Sequence, residues 1–363
     1  MRILSLVTDG FGGQGGIALH CRHLLGALCS CEHVEVVHAL PRVKPLYYEP
    51  LPEKLRYLDQ SADTPYSYTL AVAKETTSQG RWDIVFCEHI NLLWLAAAVA
   101  TLHKAKLILV IHGFESWTAP QNLQRWSLDR VDRVISVSNV TKDRFLSWSK
   151  FASCKISVIQ NAVELAQFAP GPRPDYLLQR YQISDEPVIM TLGRLSEKEQ
   201  SKGFDLVISI LPQLLKTNPG LRYLIIGEGK DRQRLEQLCH SVKVSEQVTF
   251  CGEITNAEKA DHYRLADAYI MPSRLEGFGY VFLEALACGL PVVGSLIDGS
   301  RDALLNGTLG ELIDPDKPQS LYDAVLRALS KPKVVPPQLN QFSIERFNRE
   351  IQGFLGELIT DGS

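Results

Sequence analysis

The stretch that decides the fold runs from Met271 to Ser295 and reads Met-Pro-Ser-Arg-Leu-Glu-Gly-Phe-Gly-Tyr-Val-Phe-Leu-Glu-Ala-Leu-Ala-Cys-Gly-Leu-Pro-Val-Val-Gly-Ser. It begins at the end of a short apolar strand and passes through a turn with two glycines. A helix with apolar residues at core-facing spacing follows, until Cys288-Gly289 ends it and Pro291-Val292-Val293 begins another strand. The pattern predicts a βαβ unit, in which two parallel strands are joined by a helix.

The turn of this unit is expected to bind a ligand. It lies where the first strand ends, and the first N–H groups of the next helix point into the same crevice and favour an anion. Gly277 and Gly279 let the backbone approach a ligand closely. Glu276 and Glu284 cannot hold a phosphate, so we interpret both as acceptors for hydroxyl groups beside the anion. A turn that only compensates the helix dipole is the alternative for this segment taken alone.

Two runs in this stretch resemble a known signature. Glu-Gly-Phe-Gly at 276–279 and Leu-Glu-Ala-Leu-Ala-Cys-Gly-Leu-Pro-Val-Val at 283–293 resemble the Glu-x7-Glu signature of the family-four retaining glycosyltransferases, which use nucleotide sugars. The resemblance spans essentially the whole chain and is strongest from Gly193 to Pro291. It implies an α/β protein with GT-B architecture, in which two doubly wound Rossmann-like domains face each other across a cleft.

Length and composition agree with a two-domain α/β protein. The 363 residues suit two domains, and a hydrophobic content of 45% is ordinary for a globular chain. A net charge of −3 argues against a nucleic-acid partner. The first residues do not resemble a signal peptide, and the longest apolar run, Leu92 to Leu102, is too short for a membrane span. The eight scattered cysteines are interpreted as mostly buried free thiols, so a cytoplasmic protein is expected.

Strand-like and helical segments alternate in both halves of the chain, which is typical of parallel doubly wound sheets. We predict an N-terminal, acceptor-side Rossmann-like domain over 1–168 and a nucleotide-sugar-binding Rossmann-like domain over 169–342, with the boundary at the proline-rich Phe168 to Pro174. Asn161 to Pro170 resembles the family segment that leads into the interdomain hinge, with Ala162 in place of the usual glycine. The last segment, 343–363, resembles the C-terminal helix that in the family crosses back to the N-terminal domain.

Basic residues follow the first strand of the second half, Val188 to Leu192. Gly193-Arg194 stands at the strand end, and Lys202-Gly203-Phe204-Asp205 opens the next helix. A guanidinium and an ammonium group placed there suit a diphosphate, although a solvated charged loop has the same composition. Lys198 competes with Lys202 for this role, and the neighbouring Gly-Phe-Asp favours Lys202. Asp314-Pro-Asp316 is interpreted as a β-turn, so no metal site is expected there.

In the first half, the glycine-rich turn Asp9 to Gly16 separates the first strand from the first helix, as it does at many phosphate sites, although a merely tight turn is the alternative. His112 ends a strand and is expected to face the crevice at the carboxyl end of the sheet. In the resembling family, the matching histidine lies beside the donor sugar. Glu115 and Asp9 are weaker candidates of the same type. A metal site at His20, Cys21 and His23 is not favoured, because no second cluster completes it.

The resemblance implies roles for particular residues. Glu284 would bind the ribose hydroxyls of the donor, Glu276 the sugar hydroxyls, and backbone amides of the turn the phosphates. The predicted catalytic residues are His112, Arg194, Lys202 and Glu276. The predicted donor-binding residues are Gly15, Gly16, Arg194, Lys202, Gly277, Phe278, Gly279, Tyr280, Val281 and Glu284. The chain departs from the family at Asp298-Gly299-Ser300-Arg301-Asp302, where Gly-Gly-x-x-Glu is common.

The leading hypothesis is a retaining, metal-independent glycosyltransferase without a cofactor, which moves a hexose from a UDP or GDP sugar to an acceptor hydroxyl in glycan, polysaccharide or glycolipid synthesis. The alternatives are a nucleotide-sugar epimerase or hydrolase and a non-catalytic nucleotide-sugar-binding module. A sugar or lipid-linked saccharide acceptor, with peripheral membrane contact, is expected at loops of the N-terminal domain. The residues concerned are Arg42, Lys44, Tyr47, Tyr48, Lys54, Arg56, Trp117 and Trp126.

Overall fold

Two parallel sheets, one in each half of the chain, form the framework of the fold. The computed structural model describes residues 1–45, 47, 49–59, 64–120, 123–197 and 200–360. The chain divides into two units, of which the first consists of Met1–Ala162 with Ile344–Ser363 and the second of Val163–Ser343. The N-terminal part of the first unit ends at Ala162. This residue lies in the Asn161 to Pro170 segment, a few residues before the predicted boundary. Each unit is described by itself below.

The first sheet contains, over the described part of residues 1–162, seven parallel strands. They are β1 Arg2–Val7, β2 Val36–Pro41, β3 Leu55–Tyr57, β4 Ile84–Cys87, β5 Lys106–Ile111, β6 Arg133–Ser136 and β7 Ile156–Val158. Their order is β3-β2-β1-β4-β5-β6-β7, so the direction of winding reverses between β1 and β4. Ligands of doubly wound sheets bind outside the carboxyl ends of the strands at such a switch point.

One strand of this sheet was missed by the sequence prediction. The segment from Pro41 to Ser61 reads as a proline-rich loop, but it contains β3, which among the described strands pairs only with β2 and forms the edge of the sheet. A three-residue strand gives too short a pattern to be distinguished from a loop. Helices α1 Gly16–Ser30, α2 Pro65–Ser78, α3 Leu93–His103, α4 Leu123–Ser127 and α5 Asn139–Trp148 belong to the same unit.

The second sheet lies entirely within residues 163–343. Among the residues described there it has six parallel strands, β8 Val188–Leu192, β9 Arg222–Ile226, β10 Val248–Gly252, β11 Ala268–Ile270, β12 Val292–Ser295 and β13 Glu311–Ile313. Their order is β10-β9-β8-β11-β12-β13, which places the switch point between β8 and β11. Both strands at this switch point are followed by segments that the sequence singled out.

Helices cover the second sheet. They are α6 Asp175–Tyr181, α7 Phe204–Thr217, α8 Arg232–Ser241, α9 Asn256–Leu265, α10 Tyr280–Ala287, α11 Ser300–Ala303 and α12 Pro318–Ser330. The predicted βαβ unit is confirmed as β11, α10 and β12, and α10 ends at Cys288 and Gly289 as expected. The predicted α/β class is therefore correct for both units.

The last helix, α13 Ile344–Thr360, belongs to the first unit. Its apolar residues recur every three or four positions, and Phe347, Ile351, Phe354 and Leu358 are buried in a core shared with α1. Such a stripe is typical of a helix that packs along one face. The described residues include no helix that is both long and apolar enough to cross a membrane. All eight cysteines are described and are free thiols, six of them buried.

Candidate active site

The loop between β8 and α7 is fixed to the loop after β11. Gly203, just before α7, has a φ of +74°, and a Cβ atom there would lie 2.4 Å from the carbonyl oxygen of Pro272. Only glycine permits both this conformation and this close approach. The amide of Arg274 donates to the carbonyl of Ser201 at 2.8 Å. As a result, Lys202 is positioned next to the turn that carries Glu276.

A small, open depression lies beside this loop, and Arg194 and Lys202 line it. Arg234 also lines the depression, but it donates to both carboxylate oxygens of the buried Asp231 at 2.7 Å each. Two of the predicted phosphate-binding cations therefore line the same depression. Lys198, the competing candidate, lies outside the described residues.

Lys202 and Glu276 form an ion pair in which the ammonium nitrogen is 2.5 Å from Oε2 of the carboxylate. The side chains are 23% and 16% exposed, so both are largely removed from water. A partly buried ammonium group needs a compensating charge or hydrogen bonds. Glu276 provides this charge.

The turn that carries Glu276 is held by Asp298, a fully buried carboxylate after β12. Its Oδ2 accepts hydrogen bonds from the Ser273 hydroxyl at 2.7 Å and the Glu276 amide at 2.9 Å. Its Oδ1 accepts from the amide and hydroxyl of Ser300, at 3.0 and 2.6 Å. Burial raises the pKa of Asp298 to about 6, although these hydrogen bonds oppose the shift.

Gly299 completes this contact between the two loops. Its amide donates to the carbonyl of Glu276 at 2.7 Å, and a Cβ atom at this position would lie 2.0 Å from the carbonyl oxygen of Gly277. The segment that departs from the family pattern, 298–302, therefore holds the Glu276 turn in place through Asp298 and Gly299.

Helix α10 begins at this turn, and most of its side chains are buried. Phe278 and Tyr280 are buried, and Gly279 stands just before the first helical residue. Glu284, one further turn along, is 2% exposed. Its Oε1 accepts from the ammonium group of Lys259 at 2.6 Å, and its Oε2 accepts from the hydroxyl of Tyr263 at 2.8 Å. Both glutamates of the signature are thus engaged by a lysine.

In the first unit, the glycine-rich turn after β1 is tied to α1 by Arg22, which donates to the carbonyls of Gly10 and Gly13 at 3.0 and 2.9 Å. Asp9 accepts from the amide of Gly10 at 2.8 Å, and burial raises the pKa of its carboxyl. Gly15 precedes α1, and apart from Gly15 itself and its two chain neighbours no atom of the described residues lies within 4 Å of the place where its Cβ would be. Gly15 and Gly16 are exposed.

His112 and Glu88 form a buried polar cluster at the carboxyl ends of β5 and β4. The Nε2 atom of His112 lies 2.8 Å from the carbonyl oxygen of Glu88, which can only accept. Burial lowers the pKa of His112 to about 3 and raises the pKa of Glu88 to about 8. The imidazole is therefore neutral, with its proton on Nε2, so Nδ1 is left as an acceptor.

Two further residues complete the cluster. The ring of His20 packs edge-on against that of His112 with centroids 4.7 Å apart, and its Nδ1 is 2.8 Å from Oδ1 of Asn161. Burial lowers the pKa of His20 well below its usual range, so this ring is neutral as well. Oε1 of Glu88 is buried without a hydrogen-bonding partner in the described part of the chain. Neutral groups thus make up the cluster at neutral pH.

Several other predicted residues have structural roles. Glu115 accepts at Oε1 from the amides of His112 and Gly113, at 2.7 and 3.0 Å, and so it fixes the turn after β5. Trp117, one of the residues expected at the acceptor loops, packs within the unit instead. Trp117 is buried, its indole donates to Thr141 at 3.2 Å, and the guanidinium of Arg144 lies 4.3 Å above its ring.

The remaining residues of the predicted acceptor loops divide into two groups. Tyr47 and Trp126 are exposed, and so are Lys44 and Arg56. Lys54 instead donates to the carbonyl of Cys31 at 2.8 Å, and the guanidinium of Arg42 lies 5.9 Å from the ring centroid of Tyr68. These two basic groups therefore have partners within the unit. Tyr48 lies outside the described residues.

No group of three or more histidine, cysteine, aspartate or glutamate side chains in the described segments is arranged to hold a metal ion. Asp314 begins the predicted β-turn, in which the amide of Lys317 donates to the Asp314 carbonyl at 3.0 Å. The amide of Asp316 donates to the Asp314 side chain at 3.0 Å, and Asp316 pairs with Arg274 at 2.6 Å.

Sequence reasoning missed Glu88, Lys259 and Tyr263. A signal exists for Glu88, since it directly follows the apolar strand β4 as His112 follows β5. Lys259 and Tyr263 stand four residues apart on α9, which places them on one helix face, but nothing local indicates what that face contacts. Their partner becomes visible only when α9 packs beside α10.

Comparison with known proteins adds the family. The model of Glycosyltransferase Family 4 matches residues 14–167, and the model described as Glycosyl transferases group 1 matches residues 177–344. A GDP-mannose-dependent alpha-(1-6)-phosphatidylinositol monomannoside mannosyltransferase from Mycolicibacterium smegmatis is 30% identical over 73% of this chain and 74% of its own length.

Solved structures are similar in fold over nearly the whole chain. Sucrose-phosphate synthase from Thermosynechococcus elongatus gives a TM-score of 0.77 at 20% identity, with 100% of both chains covered. Anabaena HepE, solved in complex with UDP and glucose, gives a TM-score of 0.75 at 18% identity, with 98% of this chain and 99% of HepE covered. The fold is GT-B, and the chain belongs to the family-four, group 1 glycosyltransferases.

Proposed function

We propose that this glycosyltransferase moves a hexose from a UDP or GDP sugar to an acceptor hydroxyl with retention of anomeric configuration and without a bound metal ion. The observation that carries the proposal is the contact between Lys202 and Glu276 at 2.5 Å beside the depression lined by Arg194. It brings a cation suited to phosphate and an acceptor suited to sugar hydroxyls to one turn at the switch point of the second sheet.

The proposed donor contacts follow the chemistry of each group. Arg194 and Lys202 bind the diphosphate, together with backbone amides of the turn at 277–281. Glu276 accepts hydrogen bonds from sugar hydroxyls, and Glu284 accepts from the ribose hydroxyls. When a phosphate arrives, Lys202 exchanges a carboxylate partner for a phosphate partner, which frees Glu276 to contact the sugar. The ion pair thus keeps both groups in place until the donor binds.

Retention and metal independence are supported by the same residues. The bond between the anomeric carbon and the phosphate oxygen breaks on the face where the acceptor oxygen bonds, and the acceptor proton passes to the departing phosphate. The growing negative charge on the leaving group needs fixed positive groups, which Arg194, Lys202 and the helix start at Gly279 supply. In this scheme no protein carboxylate forms a covalent intermediate.

The first unit contributes neutral groups in this proposal. Since Nε2 of His112 is committed to the Glu88 carbonyl, Nδ1 accepts a hydrogen bond from a hydroxyl of the donor sugar. We propose Gly15 and Gly16 as the place where the backbone approaches the donor, because the space beside Gly15 is open. These assignments are independent of the lysine and arginine assignments.

For the acceptor we propose a sugar or a lipid-linked saccharide that the enzyme meets as a cytoplasmic, peripheral membrane protein. The name of the mycobacterial relative specifies a phosphatidylinositol glycolipid acceptor for that protein. Here Trp126 is 76% exposed, and Lys44 and Arg56 are also exposed. An indole and basic groups suit the interface of an anionic membrane. Flotation with anionic and neutral liposomes at low and high salt tests this. If the protein binds neither kind of vesicle, and replacing Arg42, Lys44, Lys54 and Arg56 leaves acceptor saturation unchanged, the acceptor is soluble or binds elsewhere.

The experiment for the main proposal is a panel of nucleotide sugars that includes GDP-mannose, UDP-glucose and UDP-N-acetylglucosamine. A donor present at about 100 times its dissociation constant should stabilise the protein by about 2.7 kcal/mol. The stabilising donor is then incubated with saccharide acceptors, and the anomeric configuration of the product is read by NMR. A product that retains the anomeric configuration of the donor, formed in the presence of EDTA, supports the proposal.

The other outcomes identify the alternatives. An inverted product, or loss of transfer in EDTA that Mg²⁺ restores, contradicts the proposal directly. Release of free sugar or epimerisation of the donor without transfer to any acceptor indicates a hydrolase or an epimerase. Donor binding without any reaction indicates a binding module.

A further inference from the structure

Helix α9 presents two side chains to Glu284, the second glutamate of the signature. Lys259 and Tyr263 are four residues apart, so they lie on the same face of the helix. The ammonium group of Lys259 donates to Oε1 of Glu284 at 2.6 Å, and the hydroxyl of Tyr263 donates to Oε2 at 2.8 Å. One side chain thus holds each oxygen of the carboxylate.

These contacts are buried and leave little freedom to the carboxylate. Glu284 is 2% exposed and Tyr263 is fully buried, with its ring near those of Phe168 and Tyr269. Burial raises the pKa of Tyr263 well above its usual range, so its hydroxyl stays protonated and donates. The ammonium group of Lys259 lies 5.8 Å from the ring centroid of Phe168, and its side chain is 22% exposed. Each partner is therefore fixed by its own surroundings.

A carboxylate can accept about four hydrogen bonds, two at each oxygen. Lys259 and Tyr263 use one at each oxygen, so each oxygen of Glu284 retains capacity for one more. Two adjacent hydroxyl groups, such as those at positions 2′ and 3′ of a ribose, match this remaining capacity. A carboxylate already fixed in one rotamer loses no side-chain entropy when it binds them.

We propose that Lys259 and Tyr263 are positioning residues that orient the Glu284 carboxylate for the ribose hydroxyls of the donor. The inference rests on the proposed function, in which Glu284 contacts the ribose. It predicts that loss of either residue weakens the contribution of the ribose hydroxyls and leaves the contributions of the base and the diphosphate intact.

Calorimetric titration with GDP, UDP and their 2′,3′-dideoxy analogues tests the inference. The ratio of the dissociation constants for the dideoxy and the natural nucleotide measures how much the hydroxyls contribute. In Tyr263→Phe and Lys259→Met we expect this ratio to fall by about five- to tenfold, with the affinity for the dideoxy nucleotide unchanged. Lys259→Arg retains the charge and should recover part of the ratio.

A matched control lies on the same helix. Glu258 is next to Lys259 in sequence but pairs with Arg180 at 2.8 Å, so Glu258→Gln breaks an ion pair of α9 without touching Glu284. This variant should keep the wild-type ratio. Tyr263→Phe preserves the buried ring, and its thermal unfolding shows whether the packing survives.

The outcomes separate this inference from the function on which it rests. If the wild-type protein binds the natural and dideoxy nucleotides equally well, the ribose role of Glu284 is wrong. If the wild-type protein discriminates and both variants discriminate just as well, Lys259 and Tyr263 are not positioning residues. An equal loss of affinity for both nucleotides would show that the two residues only maintain the packing of α9.

Discussion

The ionisable groups at the ends of β4 and β5 in the first unit are buried and neutral, whereas two glutamates beside the switch point of the second sheet are paired with lysines. At the ends of β4 and β5, burial raises the pKa of Glu88 to about 8 and lowers the pKa of His112 to about 3, so neither carries a charge at pH 7. At the switch point of the second sheet, Glu276 pairs with Lys202 and Glu284 with Lys259.

The difference reflects two ways of accommodating ionisable groups away from water. A group without a partner of opposite charge changes its protonation state, while a group beside such a partner retains its charge. Neutral groups suit the hydroxyls of a sugar, for which directed donors and acceptors are sufficient. Charged groups suit a diphosphate, whose charge grows as the sugar leaves. The proposed division of the donor, with sugar hydroxyls at His112 and the diphosphate at Arg194 and Lys202, is based on this difference.

The largest expected effect comes from removing the charges of the second unit. Arg194→Ala and Lys202→Ala should each lower kcat/KM for transfer by about 10²-fold or more, because each removes a fixed donor to the leaving diphosphate. Steady-state kinetics with the donor found in the panel measures this loss. Lys216→Ala is the control, since this exposed lysine stands in the last turn of α7, at the opposite end from Gly203.

Turnover near the wild-type level in both variants would remove the proposed diphosphate site. It would also remove the contrast between the units, because the charges of the second unit would then serve only its folding. Unfolding temperatures of the three variants show whether any loss of activity reflects damage to the structure instead.

A smaller effect is expected from Asp298, the buried carboxylate that accepts four hydrogen bonds around the Glu276 turn. Asp298→Asn keeps the shape, but its NH2 group must face either the amide of Glu276 or that of Ser300. An opposed buried donor costs about 1–3 kcal/mol. Hydrogen exchange in a peptide containing Glu276 should therefore become roughly ten- to a hundredfold faster.

The control is Asp323→Asn on α12, where the carboxylate accepts one hydrogen bond from Gln319. It should leave exchange near Glu276 unchanged. Unaltered exchange in Asp298→Asn as well would mean that the turn is held by its backbone contacts through Gly299, and that the paired charges of the second unit do not depend on this carboxylate.

The sequence predicted the elements of the second unit well because its signals are local. The strand Val188–Leu192 has the predicted bounds, and the helix that starts after Gly279 follows from glycine spacing and apolar periodicity. Lys202 was preferred to Lys198 because the adjacent Gly-Phe-Asp matched a family pattern, and this choice stays a prediction, since Lys198 lies outside the described residues. Residues next to one another in sequence decided each of these assignments.

The contacts between distant segments could not be predicted in the same way. Lys259 and Glu284 are far apart in sequence and meet only because α9 packs beside α10. Trp117 reads like an exposed aromatic residue of a loop, but Thr141 and Arg144 on α5 enclose it. Burial of one residue depends on elements elsewhere in the chain, so a local pattern contains too little information to determine it.

The smallest expected effect tests whether the buried cluster of Glu88 and His112 is neutral. Between pH 6 and 7, Glu88 is ionised in the unfolded chain, where its pKa is about 4.5, and protonated in the folded one, where its pKa is about 8. The contribution of Glu88 to stability is fully present below the pKa of the unfolded chain and is lost as the pH rises through the pKa of the folded protein. Glu88→Gln lacks this titration. From pH 6 to pH 7 the free energy of unfolding of the wild type should therefore fall by about 1.4 kcal/mol relative to that of Glu88→Gln.

All five tryptophans lie between Trp82 and Trp148, so tryptophan fluorescence, excited at a wavelength that tyrosine does not absorb, reports on the first unit during urea unfolding. Glu345→Gln, which changes an exposed carboxylate in the same unit, should follow the wild-type curve from pH 6 to 7. If Glu88→Gln also runs parallel to the wild type, then Glu88 is ionised in the folded protein. The first unit would then hold a buried anion as the second does, and the neutral environment proposed for the Nδ1 atom of His112 would be wrong.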